Sequence, residues 1–541
     1  MNDRAHPDAT ALGFDWSLPY ASRRQPIFAS QAVATSQPLA TQAGVGMLAR
    51  GGNAVDAALA TAITLAVVEP CSNGIGSDLF AILWDGHELV GLNASGRAPA
   101  AWNPQRFAGQ PAMPQRGWDT VTIPGAVSGW VALSKRFGKL PFADLFEPAI
   151  RYARDGWLVS PVVAEKWSLA VPNMPPGLGW QDHFLSRGRA PKVGERFKSA
   201  AMATTLEKIA TSAGEAFYRG ELAAAMTAHS RAHGGAHTAE DFAAHRADWV
   251  TPLGFDYHGV TVHEIPPNGQ GIAALMALGI LEHFDLAALP PDAVETQHLE
   301  IEAMKLAFAD AYRYVSDPKT MTVSAQALLD RGYLASRARS IDRTRAQNFG
   351  PGDPPRGGTV YLCAADASGM MVSLIQSNYM GFGSGIVVPG TGISLQNRGA
   401  GFDLAPDHPN VVAPGKRPFH TIIPGFALDG AGRPLMAFGV MGGPMQSQGH
   451  VQMAVRILGY GQSPQAAADA PRWRVTSGRR VSVEASFPAT LAEGLRAKGH
   501  DVVVETPEAV FGFGGAQAIC RSADGYVGGS DPRKDGQAVA F

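Results

Sequence analysis

The sequence predicts an α+β protein, helical through its first 350 residues and sheet-rich in its last third. Three observations carry that reading. Segments such as "GKLPFADLFEPAIRYARDG" and "AVETQHLEIEAMKLAFADAYRYVSDP" place apolar residues at three and four spacing with acids early and arginines late, the signature of amphipathic helices. From Thr359 onward, short apolar and β-branched runs alternate with turns. Between the two lies "SIDRTRAQNFGPGDPPRGG", polar, rich in Gly and Pro and without periodicity, which reads as a mobile linker. Helices in one stretch and strands in another form the α+β pattern.

In chain order, a strand-like piece near Val33 leads into a helix that ends at "ARGGNAVDAA". Gly51 and Gly52 supply a left-handed cap, and a second, Ala-rich helix runs from about Asn53 to Glu69-Pro70. Its apolar run, Ala57 to Val68, is too short for a bilayer and reads as a buried core helix. Past the linker, "TVYLCAAD" and "MMVSLIQSN" flank the turn "ASG" and are apolar on both faces, as strands covered on both sides are. Further strands are expected in "HTIIPGFAL", "PLMAFGVM", "VSVEASF" and "DVVVET". No internal repeat or low-complexity tract occurs.

Composition narrows the function classes. At 45% hydrophobic and 17% charged residues, the 541-residue chain has ample material for a large core. Lys plus Arg (45) nearly balances Asp plus Glu (47), without a basic stripe carrying interleaved aromatics, so no nucleic-acid partner is expected. The start has no basic region followed by an apolar segment and a cleavage site. A soluble cytoplasmic protein is expected, with no membrane association. Cys71, Cys363 and Cys520 are too few for a disulfide framework and read as reduced thiols.

Thr359 stands where the linker gives way to a strand, behind Gly357 and Gly358. A threonine hydroxyl is a poor nucleophile without a base, and one economical base is its own α-amine, freed if the Gly358-Thr359 bond is cut. The glycine pair would let the loop bend for the hydroxyl to attack its preceding carbonyl. A threonine that merely opens a strand is the alternative. Gly442 and Gly443, directly after "FGVM", could aim two amides at an oxyanion or form a plain turn. The glycine patterns at Gly381–Gly385 and Gly512–Ala516 lack the context of a dinucleotide site. His229, His233 and His237 recur every four residues, but Gly234-Gly235 should end the helix, so solvent-exposed histidines rather than metal ligands are expected. Cys363 is expected to be buried and inert, and no spacing pairs it with His420.

Taken together, "ATQAGVGMLARGGNAVDAA", "TIPGAVSGW", "FGKLPFADLFEPAIRYARDG", "FYRGELA", "IPPNGQGI", "GTGISLQN", "KRPFHTIIP", "MGGPMQSQG" and "SDPR" occur in order from about Ala40 to the C-terminus. The chain thereby resembles the γ-glutamyltranspeptidase (glutathione hydrolase) family of N-terminal-nucleophile hydrolases. That resemblance implies a four-layer αββα sandwich and a precursor that cuts itself at Gly358-Thr359. The products would be a large chain, 1–358, and a small chain, 359–541, that stay together in one fold. It implies Thr359 as nucleophile, Gly442 and Gly443 as the oxyanion hole and Ser377 as a supporting hydroxyl, with no cofactor and no metal. The substrate would be a small amide or peptide with a γ-glutamyl or γ-glutamyl-like acyl group; homo-oligomerisation stays open.

Departures from the family pattern bear on that acyl group. The family's Arg for the α-carboxylate, and its Asn and Asp in the small chain, are replaced by Ser95, Tyr379 and Gly401. His420 and Thr421 stand in place of a serine pair. Arg97, Tyr379, His420, Thr421 and Arg398 are the candidate substrate-binding residues. Without the Asp, an α-ammonium loses a charge-assisted bond, which predicts weak preference for an α-amino group, makes a wider acyl group plausible and leaves an acylase acting on a dicarboxylic monoamide without an α-amino group as the alternative. A shorter segment from Phe402 to Lys416 than in lidded members favours hydrolysis over transfer. Retention of Thr359 and both glycines argues against a silent amide-binding relative.

Overall fold

The computed structural model describes residues 23–349, 358–506 and 512–541. The first two helices form where the sequence placed them, at Pro38–Ala49 and Ala54–Val68, with Gly51 turning the chain at φ 85°. Asn53 starts the second: its side chain accepts from the amides of Val55 and Asp56, while the Asp56 carboxylate accepts from the Asn53 amide. Every residue of Ala54–Val68 is buried, which is why this helix has no polar face.

Two seven-stranded antiparallel sheets form the centre. One runs Gln537–Ala540, Ala32–Thr35, Gly358–Ala365, Met371–Tyr379, Asp78–Trp84, Leu89–Ala94, Asp248–Val250. The other runs Ile27–Ala29, Tyr526–Ser530, Gly515–Arg521, Pro434–Met441, Gly425–Leu428, Val260–Glu264, Leu253–Tyr257. Their inner faces meet closely: a Cβ at Gly439 would stand 2.4 Å from the Tyr361 ring, whose hydroxyl bonds Ser373 Oγ at 2.8 Å. Pro38–Ala49 and Ala54–Val68 share a core with the first sheet, and Gly271–Leu281, Val294–Tyr314 and Met445–Ala454 with the second. The four layers are helix, sheet, sheet, helix. Both sheets draw strands from either side of the Gly358–Thr359 bond.

Three expectations need correction. The first 350 residues hold much of both sheets, including Asp78–Trp84, Leu89–Ala94 and Val260–Glu264. The first two are runs buried along nearly their whole length, and such runs carry no alternation to separate a strand from a buried helix. "VSVEASF" and "DVVVET" form strands as expected, in a three-stranded sheet with Trp473–Ser477, whereas in "HTIIPGFAL" the strand begins only at Gly425. The start of the expected mobile linker is pinned. Lys305 Nζ donates to Gln347 O (2.5 Å), the Gln347 amide donates to Glu302 Oε2 (3.2 Å), and His298 Nε2 bonds Asp342 O (2.8 Å). Its remainder, 350–357, lies outside the described residues. Among the described residues no helix is long and apolar enough to cross a membrane.

Candidate active site

Thr359 is the second residue of strand Gly358–Ala365, and the ladder slips beside it: Gly358 pairs with Tyr379, but Val360 pairs with Gln376. The slip sets two residues of the partner strand, Ser377 and Asn378, opposite Thr359, a bulge that locally bends that strand and re-aims its side chains. Thr359 is 2% exposed. Its Oγ1 lies 3.1 Å from Ser377 Oγ and accepts from Gln446 Nε2 at 3.3 Å. Gln446 Oε1 accepts from the Ile423 amide at 3.0 Å, which fixes which end of the side chain faces the threonine. Ser377 Oγ accepts from the Tyr379 amide (2.8 Å) and from Arg398 Nη2 (3.4 Å), and these bonds orient the hydroxyl beside Thr359.

Arg398 is fully buried. Nη1 donates to Thr421 Oγ1 at 2.9 Å, Nη2 to Ser377, and Nε has no partner. The guanidinium carbon stands 4.2 Å from the centre of the Tyr379 ring, a cation–π contact, and Tyr379 holds a φ of 75° that side chains seldom adopt. Among the described residues no carboxylate lies within ion-pairing distance of Arg398. Burial pulls its pKa down to about 10, with the more distant Asp78 and the Tyr379 hydroxyl opposing the shift.

Strand Pro434–Met441 ends directly before Gly442 (φ 125°) and Gly443 (φ 62°), and helix Met445–Ala454 follows. Positive φ at both positions favours glycine, and a Cβ on Gly442 would also press to 3.1 Å from Gly514 Cα. Gln270 braces the turn, donating from Nε2 to Gly443 O (2.9 Å) and Thr421 O (2.6 Å).

The other predicted residues are placed differently. His420 is fully buried, with both ring nitrogens engaged: Nδ1 accepts from the Ile422 amide at 3.3 Å, and Nε2 therefore donates to Asp78 Oδ2 at 3.1 Å. Burial, then Arg398 and Arg417, hold the imidazole far below its usual pKa, so it is neutral. Asp78 also accepts at Oδ1 from the amides of Gly96 (3.1 Å) and Gly125 (3.2 Å), and burial raises its pKa to about 7 against the pull of Arg398. Arg97 pairs with Asp248 (3.1 Å) and Asp317 (3.5 Å). At Gly401 a Cβ would stand 2.8 Å from Phe419 O, so an aspartate would not fit there without a shift.

The structure thus brings together Thr359, Ser377, Tyr379, Arg398 and Thr421, and adds Gln446, Gln270 and Asp78, which sequence reasoning did not single out. Gln446 and Gln270 sit inside the recognised segments "MGGPMQSQG" and "IPPNGQGI"; nothing in the sequence marks Asp78. Of the histidine triplet, His237 is buried rather than exposed, bonded to Val121 O (2.7 Å) and Ser230 Oγ (3.2 Å). Cys363 is buried, and burial raises its pKa well above the usual thiol value. His298, Glu302 and His500 offer buried metal-ligand atoms within 4.8 Å of one another, but the Lys305 ammonium is paired with Glu302 and takes the place of a cation.

A family profile described as gamma-glutamyltranspeptidase matches residues 40–541. Over 521 residues the chain is 37% identical to a glutathione hydrolase-like proenzyme of Bacillus subtilis, covering 94% of this chain and 98% of that one. Over 519 residues it is 37% identical to an oxamate amidohydrolase proenzyme of Klebsiella pneumoniae, covering 93% and 97%. Among solved structures, the cephalosporin acylase from Bacillus halodurans superposes with a TM-score of 0.93 at 48% identity, over 98% of this chain and 99% of that one.

Proposed function

Because the chain belongs to the gamma-glutamyltranspeptidase family and is a self-processing amidohydrolase of the N-terminal-nucleophile type, we propose that it hydrolyses a dicarboxylic monoamide, with Thr359 as nucleophile and Arg398 as the seat of the acyl group's free carboxylate. One observation carries this reading: beside the nucleophile lies a buried guanidinium whose direct partners among the described residues are two hydroxyls and a ring, with Nε lacking a hydrogen-bond partner. A buried charge without a counter-ion is costly, and a bound carboxylate repays that cost. The oxamate amidohydrolase relative fits the same class, oxamate being the monoamide of oxalic acid.

Thr359 acts twice. In the precursor its Oγ attacks the Gly358 carbonyl, an O–C bond forms as the Gly358–Thr359 C–N bond breaks, and water then hydrolyses the ester to give 1–358 and 359–541. Because both sheets combine strands from the two pieces, the pieces stay associated. The freed α-amine then takes the hydroxyl proton as Oγ attacks the substrate amide. Gly442 and Gly443 face the oxyanion, the C–N bond breaks, and the amine leaves with that proton. Water releases the dicarboxylate, and hydrolysis predominates over transfer.

A γ-glutamyl donor is the competing substrate, since Arg398 could take its α-carboxylate. The closed space at Gly401 leaves its ammonium without the family's acidic partner. Turnover of monoamides lacking an α-amino group, set against that of a γ-glutamyl anilide, decides between them. Preference for the γ-glutamyl compound over every monoamide would overturn the proposal.

A further inference from the structure

Resting on that reading, we infer that the acyl group is short, with its carboxylate no more than two methylenes from the scissile carbonyl: the oxamate, malonamate and succinamate class rather than glutaramate or longer. The basis is the single hydroxyl between nucleophile and anchor. Ser377 Oγ lies 3.1 Å from Thr359 Oγ1 and 3.4 Å from Arg398 Nη2. An attacked carbonyl carbon stands about 3–3.5 Å from its nucleophile, and a carboxylate oxygen stands about 2.7–2.9 Å from a guanidinium nitrogen. One acyl group must meet both conditions across a separation set by one shared hydroxyl.

Each further methylene adds a carbon–carbon bond of about 1.5 Å, and the surplus has to fold somewhere. The walls offer it little space. Arg398 is fully buried, Tyr379 and Thr421 are each 3% exposed, and the Tyr379 ring covers one face of the guanidinium. Nor can the anchor swing outward, because Thr421 Oγ1, Ser377 Oγ and the aromatic face hold it from three sides. Tyr379 and Arg398 therefore act as a ruler of fixed length, and Tyr379 is a positioning residue for the guanidinium.

The test measures ammonia release by the processed wild-type enzyme from oxamate, malonamate, succinamate, glutaramate and adipamate, which share one leaving group. We expect kcat/KM to fall about tenfold or more at the step from succinamate to glutaramate, the scale of one misplaced methylene in a closed pocket. If glutaramate or adipamate equals or exceeds the shorter acids, the length inference is overturned while the proposed function stands. If no monoamide is turned over but a γ-glutamyl anilide is, both fail together. A second measurement addresses the anchor. In Arg398→Met, once its processing into two chains is confirmed, the preference for oxamate over uncharged oxamide should drop at least tenfold, and an unchanged ratio would remove Arg398 from the argument. Should that variant remain unprocessed, the chain-length series in the wild type still decides.

Discussion

Two buried arginine centres in this molecule look alike in burial and differ in what surrounds them. In the first, Arg472 Nη2 meets Asp531 Oδ2 at 2.7 Å, and Arg533 grips Glu484 through Nε (2.5 Å) and Nη2 (2.6 Å) and Asp531 through Nη1 (3.1 Å). Burial alone would raise the Asp531 pKa, but Arg472 and Arg533 overcome it and hold the carboxyl far below its usual value. In the second, Arg398 has two hydroxyls, a ring and an open Nε. A buried charge saturated by carboxylates serves the fold, whereas one left with neutral partners is, on the function proposed above, the seat of a ligand's carboxylate.

The most severe way to probe the second centre is to remove what it serves. Thr359→Ala should leave the 56.9 kDa chain as one band on a denaturing gel where wild type gives two, with amide turnover abolished. A variant that still splits at the same bond would dismiss Thr359 as the self-cleaving residue.

Next comes stability, where the centres should part. Arg533→Met leaves Glu484 and Asp531 short of a counter-charge inside the protein, and urea unfolding should show a loss of about 3–5 kcal/mol. Arg398→Met removes a charge that has no ion-pair partner among the described residues and substitutes a side chain of similar length. It should change stability by less than about 1 kcal/mol, or raise it. Equal losses in the two variants would mean that Arg398 is a structural arginine like the others.

A smaller effect is expected one bond from the nucleophile. Gln446→Leu removes the donor to Thr359 Oγ1 (3.3 Å) but leaves Ser377 in place. The expected loss is about tenfold in kcat, in line with about 1–1.5 kcal/mol for one hydrogen bond. No change in kcat would make the glutamine a brace for the Ile423 amide alone.

How much of this was legible beforehand depends on how local each feature is. Thr359, Ser377, Gly442 and Gly443 could be named as candidates because strand boundaries, glycine pairs and a recognised motif each occupy a few consecutive residues. Arg398 could be named as a candidate, but not its lack of a carboxylate, because that is a property of everything packed around it. Asp78 was invisible: it begins an apolar strand and meets His420 across 342 residues of chain. The strands of the first half escaped for a related reason, since segments buried on both faces carry no periodicity to read. Arg97 shows the converse, since nearness in sequence to an expected position says nothing about which carboxylates, here Asp248 and Asp317, will claim the side chain.

Asp78 gives the last prediction, one whose sign separates the two centres. Its folded pKa, about 7, lies above the ordinary carboxyl value, because burial outweighs Arg398, the amides of Gly96 and Gly125 and the charge of Arg417; neutral His420 completes its surroundings. Between roughly pH 4 and 7 the folded state therefore holds a proton that the unfolded state has lost, so stability falls as pH rises through that window and levels off above it. Asp531 behaves oppositely: its depressed pKa lends stability above about pH 4 that is lost on acidification. Thermal unfolding of wild type and Asp78→Asn from pH 4 to 8 checks this. The wild-type Tm should decline relative to the variant between pH 4 and 7 and run parallel to it above pH 7. Parallel curves across the whole range would show that Asp78 stays ionised throughout, the carboxylate of Asp78 then being a permanent counter-charge to Arg398, and the second centre would be closer in kind to the first than its hydrogen bonds indicate.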